Sequence, residues 1–347
     1  QIFTSQNVTA GSNALSFTPP AAIAQGNTFA RFRLSTAGGL SPTGPALDGE
    51  VEDYSVSLIA TQFSINDPVV TEGNSSTKNL GFTVSRTVNT TACSVNYAIT
   101  GGTASSGTDY QPLAAGTVHF TAGGSLTQTV NVTVNGDVTV ELDETVVMAL
   151  SMPVNGSIAD AEGTGTISND DAATITVSSP SMSEGSTGTT NLTFDLAMSN
   201  PSDAAVSFNF NTLDGTATTA NADYASTAGS HTLSPGEIMK TVSVAINGDC
   251  TIEPNENFTL QLNGLSNNGR AVSFSGNGAT LSGTGSILND DAQPVLVCPA
   301  SFSQNTDVGA CLANVVLPLP AVDGSCGSAG LEFRRRPVNT ANQPTGP

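Results

Sequence analysis

Tryptophan is absent from this chain of 347 residues, aromatic residues make up 5% of it, and histidine occurs only twice. Pockets for sugars and other small organic ligands usually rely on aromatic lining, so little is available to build one. Positive charge is also scarce: 9 Lys and Arg stand against 29 Asp and Glu, giving a net charge of −20. Three of those nine are Arg334, Arg335 and Arg336, which leaves the rest of the chain more acidic still. A chain of this balance repels nucleic acid and anionic membrane surfaces and attracts cations. No stretch approaches the roughly 20 apolar residues that a membrane helix needs, so membrane insertion is not expected. Nucleophile elbows, HExxH helices, phosphate loops and Cys–His pairs are all missing. His119 and His231 stand in strand-like segments among Thr, Val and Phe, where a surface role fits better than catalysis. Paired carboxylates for glycoside hydrolysis are conceivable in so acidic a chain, but no sugar platform accompanies them. The chain reads as a non-enzyme.

Cysteine is sparse, and none of it has CxxC spacing: Cys93, Cys250, Cys298, Cys311 and Cys326. That argues against zinc and for a disulfide-bearing C-terminal module in an oxidising, extracellular compartment. Cys93 and Cys250 fall in different repeats, and the sequence leaves their state open. The chain starts at Gln1 without a leader sequence and stops at Pro347 in mid-pattern, which reads as a mature product or a piece of something longer.

Helical periodicity is missing, and period-two alternation takes its place. Leu80, Phe82 and Val84 alternate with polar residues, as do Val130, Val132 and Val134, then Leu192, Phe194, Leu196 and Met198, then Phe258, Leu260 and Leu262. One apolar face per run describes strands packed on a core from one side. Gly, Asn, Asp, Ser and Pro clusters supply the turns between them. The predicted fold class is all-β: tandem β-sandwiches in an elongated multidomain array.

The chain repeats itself. "GGTASSGTDY" at 101–110 matches "DGTATTANADY" at 214–224, "NGDVTVELDE" at 135–144 matches "NGDCTIEPNE" at 247–256, and "GTGTISNDDA" at 163–172 matches "GTGSILNDDA" at 283–292. Glu72 and Glu184 lie 112 residues apart, as do Glu141 and Glu253. Two copies of one domain, 61–172 and 173–292, follow, flanked by different modules at 1–60 and 293–347.

Seven acids recur in both copies: Glu72/Glu184, Asp109/Asp223, Asp137/Asp249, Glu141/Glu253, Glu144/Glu256, Asp170/Asp290 and Asp171/Asp291. All fall at turn-like segments at strand ends, and a sandwich gathers its loops at two poles. Two carboxylates about 4 Å apart repel by about 4 kcal/mol at an effective dielectric near 20. A hard divalent cation reverses that sign. Calcium takes six to eight oxygens at loosely defined angles, which suits ligands drawn from separate loops; magnesium wants a stricter octahedron, and zinc wants Cys and His. Asp and Asn also form ordinary solvated turns, but recurrence of all seven in two otherwise divergent copies points to a calcium site.

At these residues ("SEG", "GTA…DY", "NGD…E..E.F" and a closing "NDD") both repeats resemble the Calx-beta domain. The resemblance implies a seven-stranded immunoglobulin-like sandwich and calcium held at one pole by the acids above. Residues 30–58, around "DGEVEDY" at 48–54, resemble the C-terminal part of the GEVED domain of secreted bacterial proteins. Strand alternation there puts Glu50 and Glu52 on one side, near Arg31 or Arg33, as a structural ion pair. Residues 297–327 resemble the start of a HYR domain, whose pattern pairs Cys311 with Cys326.

The expected function is that of a secreted or cell-surface calcium-binding structural and adhesive protein. Its sandwiches form a stalk or filament, with calcium rigidifying domain junctions. Its partners are other protein subunits or cell-surface ligands, and strand addition offers a route to a homo-polymer. The alternative is a set of accessory, non-catalytic modules of a larger secreted enzyme. A regulatory calcium sensor comes third, because steady extracellular calcium favours a permanent ion.

Overall fold

A computed structural model describes residues 6–14, 26–41, 43–44, 48–293, 295–297, 300, 308–309 and 320–323. It contains strands and no helix among them. The chain divides into two compact units, Gln1–Asp171 and Ala172–Pro347.

The first unit opens with an antiparallel ribbon of β1 (Gly26–Arg33) and β2 (Val51–Leu58). The first repeat follows, with β3 (Gln62–Ile65), β4 (Val69–Thr71), β5 (Thr77–Arg86), β6 (Cys93–Gly102), β7 (Gly116–Phe120), β8 (Thr127–Asn135), β9 (Glu144–Val154), β10 (Ser157–Ile158) and β11 (Glu162–Ser168). They form a four-stranded sheet, β10-β3-β5-β8, and a five-stranded sheet, β4-β11-β9-β6-β7.

The second unit repeats this arrangement with β12 (Ala173–Val177), β13 (Ser181–Ser183), β14 (Gly188–Met198), β15 (Val206–Asp214), β16 (Ala228–Leu233), β17 (Met239–Gly248), β18 (Glu256–Ser266), β19 (Val272–Phe274) and β20 (Thr280–Leu288). The sheets are β17-β14-β12-β19 and β13-β20-β18-β15-β16, the same order strand for strand. β21 (Val295–Val297) and β22 (Ala321–Asp323) pair beyond it. The expected Cys311–Cys326 disulfide lies outside the described residues.

Nine short strands stand in each repeat where the family resemblance implied seven. One addition is a split first strand. β3 runs antiparallel to β5 in one sheet; after Asn66-Asp67-Pro68 the chain crosses over, and β4 runs parallel to β11 in the other. Proline lacks the N–H that a continuous ladder needs. Pro68 instead offers its carbonyl to Thr166 N, and Pro180 does the same for Ser286 N at the matching crossing. The other addition is β10, two residues paired parallel to β3, with β19 in its place in the second copy.

The cores follow the alternation. In β5, Leu80, Phe82 and Val84 are fully buried; in β14, Leu192, Phe194, Leu196 and Met198 point inward. Phe63 and Phe82 in the first repeat, and Phe194, Phe208, Phe258 and Phe274 in the second, are the bulky centres. Burying each such side chain contributes roughly 1.5–3 kcal/mol, which lets the sandwiches do without tryptophan.

In the N-terminal ribbon the ion pair differs from the expectation. Arg31 faces Asp53 across the ribbon and holds it with two hydrogen bonds, Nε to Oδ1 at 2.8 Å and Nη2 to Oδ2 at 2.7 Å. Glu52 sits opposite Phe32, and Arg33 turns to the carbonyls of Ser41 and Gly44. The arginines therefore do not serve Glu50 and Glu52. Those two carboxyls share a hydrogen bond, and this, ahead of their mutual repulsion, raises the pKa of Glu52.

Candidate metal centre

In each copy the recurring acids come from four segments. In the first, Glu72 follows β4, Asp109 lies between β6 and β7, Asp137 and Glu141 lie between β8 and β9 with Glu144 opening β9, and Asp170 and Asp171 follow β11. Backbone contacts draw these segments together. Glu72 N donates to Ser168 O at 3.2 Å and Gly136 N to Ser76 O at 2.8 Å. Asn135 N donates to Asp109 O at 2.9 Å, tying the Asp109 loop to the end of β8. Gly136 has no room for a side chain, since a Cβ there would stand 2.1 Å from Gly73 O. Gly248 meets Gly185 O at the same 2.1 Å. The glycine of Asn-Gly-Asp is thus what lets the Glu72 and Asp137 loops touch through their backbones.

Carboxylates converge as a result. Ligand oxygens of Glu72, Asp170 and Asp171 lie within 4.8 Å of one another, as do those of Asp109, Glu141 and Glu144, and in the second copy those of Asp223, Glu253 and Glu256. Glu184, Asp290 and Asp291 are not drawn into such a triad, although their charges still act on one another. Asp137 and Asp249 stand outside the triads but close enough to act on Glu72 and Glu184.

Glu72 is 4% exposed and Glu184 6%. Burial, then the charges of Glu141, Asp137, Asp171 and Asp170, pushes the Glu72 pKa up to about 7. Burial, then Glu253, Asp249, Asp291 and Asp290, does the same for Glu184. Burial and the neighbouring acids also raise Asp171, Glu253 and Glu256. A buried carboxyl ringed by like charge holds a proton unless a cation replaces it.

Hydrogen bonds account for only part of the acidic oxygens. Asp170 Oδ1 accepts from Gly73 N at 2.9 Å and Asp171 Oδ1 from Asn74 Nδ2 at 2.6 Å. Asp171 Oδ2 and Asn169 Oδ1 are buried without a hydrogen-bond partner, and so is Asp291 Oδ2 in the second copy. A buried, unsatisfied acceptor costs about 1–3 kcal/mol, and more when charged. A cation at each pole would offer these oxygens a partner. The donors are oxygens, without a histidine or cysteine in the triads, which fits a hard ion of calcium's kind.

The sequence reading missed two contributors. Asn169, the first residue of "NDD", donates from Nδ2 to Asp171 O at 3.0 Å and offers an uncharged oxygen beside the acids; counting only carboxylates passed over it. Asp143 accepts from Asn169 N at 3.0 Å and so positions it. Asn255 holds Asn289 N at 3.1 Å in the second copy, so the signal was a recurring Asp/Asn position.

Both histidines lie on strands: His119 is exposed, and His231 stacks on Phe210 with ring centroids 5.0 Å apart. At the opposite end of the first sandwich, a groove of about 340 Å³ is lined by Cys93, His119, Phe120 and Val154, with no carboxylate in it. Cys93 is a buried free thiol and Cys250 is disulfide-bonded.

Comparison with known proteins agrees with this organisation. The family model for the Calx-beta domain matches residues 59–171 and 168–291, and that for the GEVED domain matches residues 1–57. No curated protein matches the chain. Among solved structures, CBD12 from CALX1.2 is 21% identical over 59% of this chain and 80% of that one, with a TM-score of 0.29. The calcium binding domain CBD12 of CALX1.1 is 22% identical over 60% and 81%, with a TM-score of 0.28. The apo-form Calx CBD1 domain is 19% identical over 35% and 100%, with a TM-score of 0.30. Two successive matches to one family model span about two thirds of the residues, and the chain belongs to the Calx-beta domain family, with a GEVED domain ahead of its two Calx-beta repeats.

Proposed function

We propose that this chain is a calcium-binding structural segment of a secreted or cell-surface protein, in which bound calcium stiffens each repeat at its acidic pole. Glu72, Asp109, Asp137, Glu141, Glu144, Asp170 and Asp171 would hold the ions in the first repeat. Glu184, Asp223, Asp249, Glu253, Glu256, Asp290 and Asp291 would hold them in the second. The observation that carries this reading is the buried glutamate at the centre of each acidic group, beside aspartate oxygens that no donor satisfies.

Calx-beta and GEVED are binding-type, non-catalytic modules, and no helix among the described residues is long and apolar enough to cross a membrane. An adhesive stalk, partners of protein nature and a place outside the cell accord with the acidic composition and with the disulfide at Cys250.

Calcium that binds only the folded state stabilises it by about 2.7 kcal/mol at a hundredfold excess over Kd. Thermal melting in EGTA and in millimolar calcium tests the reading. A rise of several degrees with calcium, absent with magnesium at equal ionic strength, is expected, and superimposable curves would discard it.

A further inference from the structure

Each four-stranded sheet ends on a long edge strand, β8 in the first repeat and β17 in the second. Asn135 N donates to Asp109 O at 2.9 Å and Thr133 O accepts from Gln111 N at 2.8 Å. The odd-numbered residues of β8 therefore turn their backbone groups away from β5, since direction alternates along an antiparallel ladder. The Asp109 loop covers only the Thr133–Asn135 end. Among the described residues no strand lies against the outward groups of Thr129 and Asn131. β17 has the same parity, with Ala245 O accepting from Ala225 N and Asn247 N donating to Asp223 O.

An unprotected edge is a template for another strand, and proteins blunt it with charge, proline, a bulge or a cover. β17 is blunted. His231 Nε2 lies 3.1 Å from Thr241 O, Lys240 pairs with Glu237 at 2.5 Å, and Asp195 stands exposed on β14 directly opposite Thr241. β8 has none of these devices. Gln128 and Ser125 take the places of Lys240 and Glu237, and Thr83 takes that of Asp195. β8 carries no charge, proline or glycine, and it pairs with β5 in unbroken register. Thr127, Thr129 and Asn131 are exposed, while Val130 and Val132 belong to the core, so main-chain pairing at this edge leaves the core intact.

Local charge indicates the occupant. β3, β5, β8 and β10 contain no Asp or Glu, and their only charged residues are Lys78 and Arg86, in a chain of net charge −20. The acids that make two copies repel lie elsewhere, and at this sheet two copies can meet without acid facing acid.

We propose that β8 is a homophilic edge. Two copies of the chain pair β8 with β8, antiparallel about a two-fold axis beside Thr129, and join their four-stranded sheets into one. Thr129 then exchanges both main-chain bonds with its twin, and Asn131 faces Thr127 on either side. Such a contact is self-complementary and closes at a dimer, and threonine opposite threonine is a favourable cross-strand pair. The inference stands apart from the calcium reading, because backbone groups and not carboxylates make the contact.

Analytical ultracentrifugation of the whole chain, in millimolar calcium throughout, tests this. The interface is small and polar, so the mass should rise from one chain towards two between about 1 μM and 1 mM. Added salt should tighten the association, because it screens the repulsion between two acidic chains. Thr129→Pro removes an outward N–H that the monomer does not use, and Thr129→Glu sets like charges face to face. Each should weaken the dimer at least about tenfold. Thr241→Glu adds the same charge to the second repeat and should leave association unchanged. Circular dichroism verifies folding, and a proline variant that does not fold leaves the glutamate arm to decide. Amide hydrogen exchange at Thr129 and Asn131 should slow as concentration rises. A chain that stays monomeric across this range, a dimer untouched by Thr129→Glu, or a dimer lost equally in Thr241→Glu overturns the proposal.

Discussion

The two repeats can be laid over one another strand for strand, and they treat the same interior corner in opposite ways. In the first, the inward position that ends β5 is Arg86, 3% exposed. Its guanidinium donates to the carbonyls of Ser125, Thr91, Thr121 and Gly124, contacts Cys93 Sγ at 3.6 Å and stacks over Phe120, 4.9 Å from the ring centroid. In the second, the matching residues are Met198, Val206 and Leu233, all buried and all apolar. The backbone is indifferent: Arg86 N donates to Leu126 O and Met198 N to Ile238 O, both at 2.8 Å. One corner is filled by a charge whose donors are matched to carbonyls, the other by hydrocarbon. A core position has to fill space and satisfy its polar atoms, and several chemistries can do both. The acidic poles show no such freedom, since all seven acids persist. What a fold exchanges freely and what it keeps thus separates packing from the site.

The largest expected effect would break this comparison at its polar corner. Arg86→Ala leaves the carbonyls of Ser125, Thr91, Thr121 and Gly124 without their guanidinium donor and empties a packed, buried position, which should cost about 3–5 kcal/mol in the first repeat. Met198→Ala leaves only a cavity and should cost about 2–4 kcal/mol in the second. Calorimetric unfolding should show one transition falling in each variant, and a larger loss for Met198→Ala would refute the account of the arginine.

Next comes a pH effect that both repeats should share. Below about pH 4.5 the central glutamate is protonated in the folded and the unfolded chain alike. Between 4.5 and about 7 the folded chain keeps a proton that the unfolded chain has lost. Folded-state binding of more protons means that stability falls as pH rises through this window, by up to about 3 kcal/mol for each glutamate. Melting in EGTA should therefore decline from pH 5 to pH 8, and calcium should restore most at pH 8. Glu72→Gln should flatten the first repeat's share and Glu184→Gln the second's. A calcium-free melting temperature that climbs across this window would contradict the buried-glutamate picture.

A smaller effect concerns the loop junction. Gly136→Ala forces a methyl group against Gly73 O and should cost about 2 kcal/mol while weakening calcium stabilisation of the first repeat alone; Gly248→Ala should mirror it in the second. Unchanged calcium shifts in both variants would show that the backbone approach does not position the acids. The smallest effect belongs to a pair found in one copy only. Arg270 grips Asp203 with two hydrogen bonds, at 2.8 and 2.6 Å, where the first repeat has Thr90 in place of the acid. The pair is partly exposed, so Arg270→Ala should lower stability by about 1 kcal/mol or less, measurable by urea titration.

Much of this was legible in the chain itself. Alternation such as Leu80-Phe82-Val84 has one physical reading, and a repeat of 112 residues marks the copies without coordinates. The acids were legible because they recur. Arg86 was not, since alternation makes its position inward while charge argues for water, and only the ring of carbonyls from two separate loops resolves the conflict. The burial of Glu72 was equally hidden, as a turn acid reads as solvated until its neighbours are placed. The Arg31–Asp53 pair escaped because alternation fixes which side a residue takes, and only the register fixes which residue stands opposite.

The split first strand has a mechanical consequence. β4 lies parallel to β11, through Val69–Thr71 against Thr166–Ser168, and β13 lies against β20 in the same way. Tension between the two ends of a repeat that has passed β3, or β12, enters through one of these strands and leaves through the other. It therefore slides them along their common axis and loads the evenly spaced rungs between them together, so rupture requires those rungs to fail in concert and not one after another from an end.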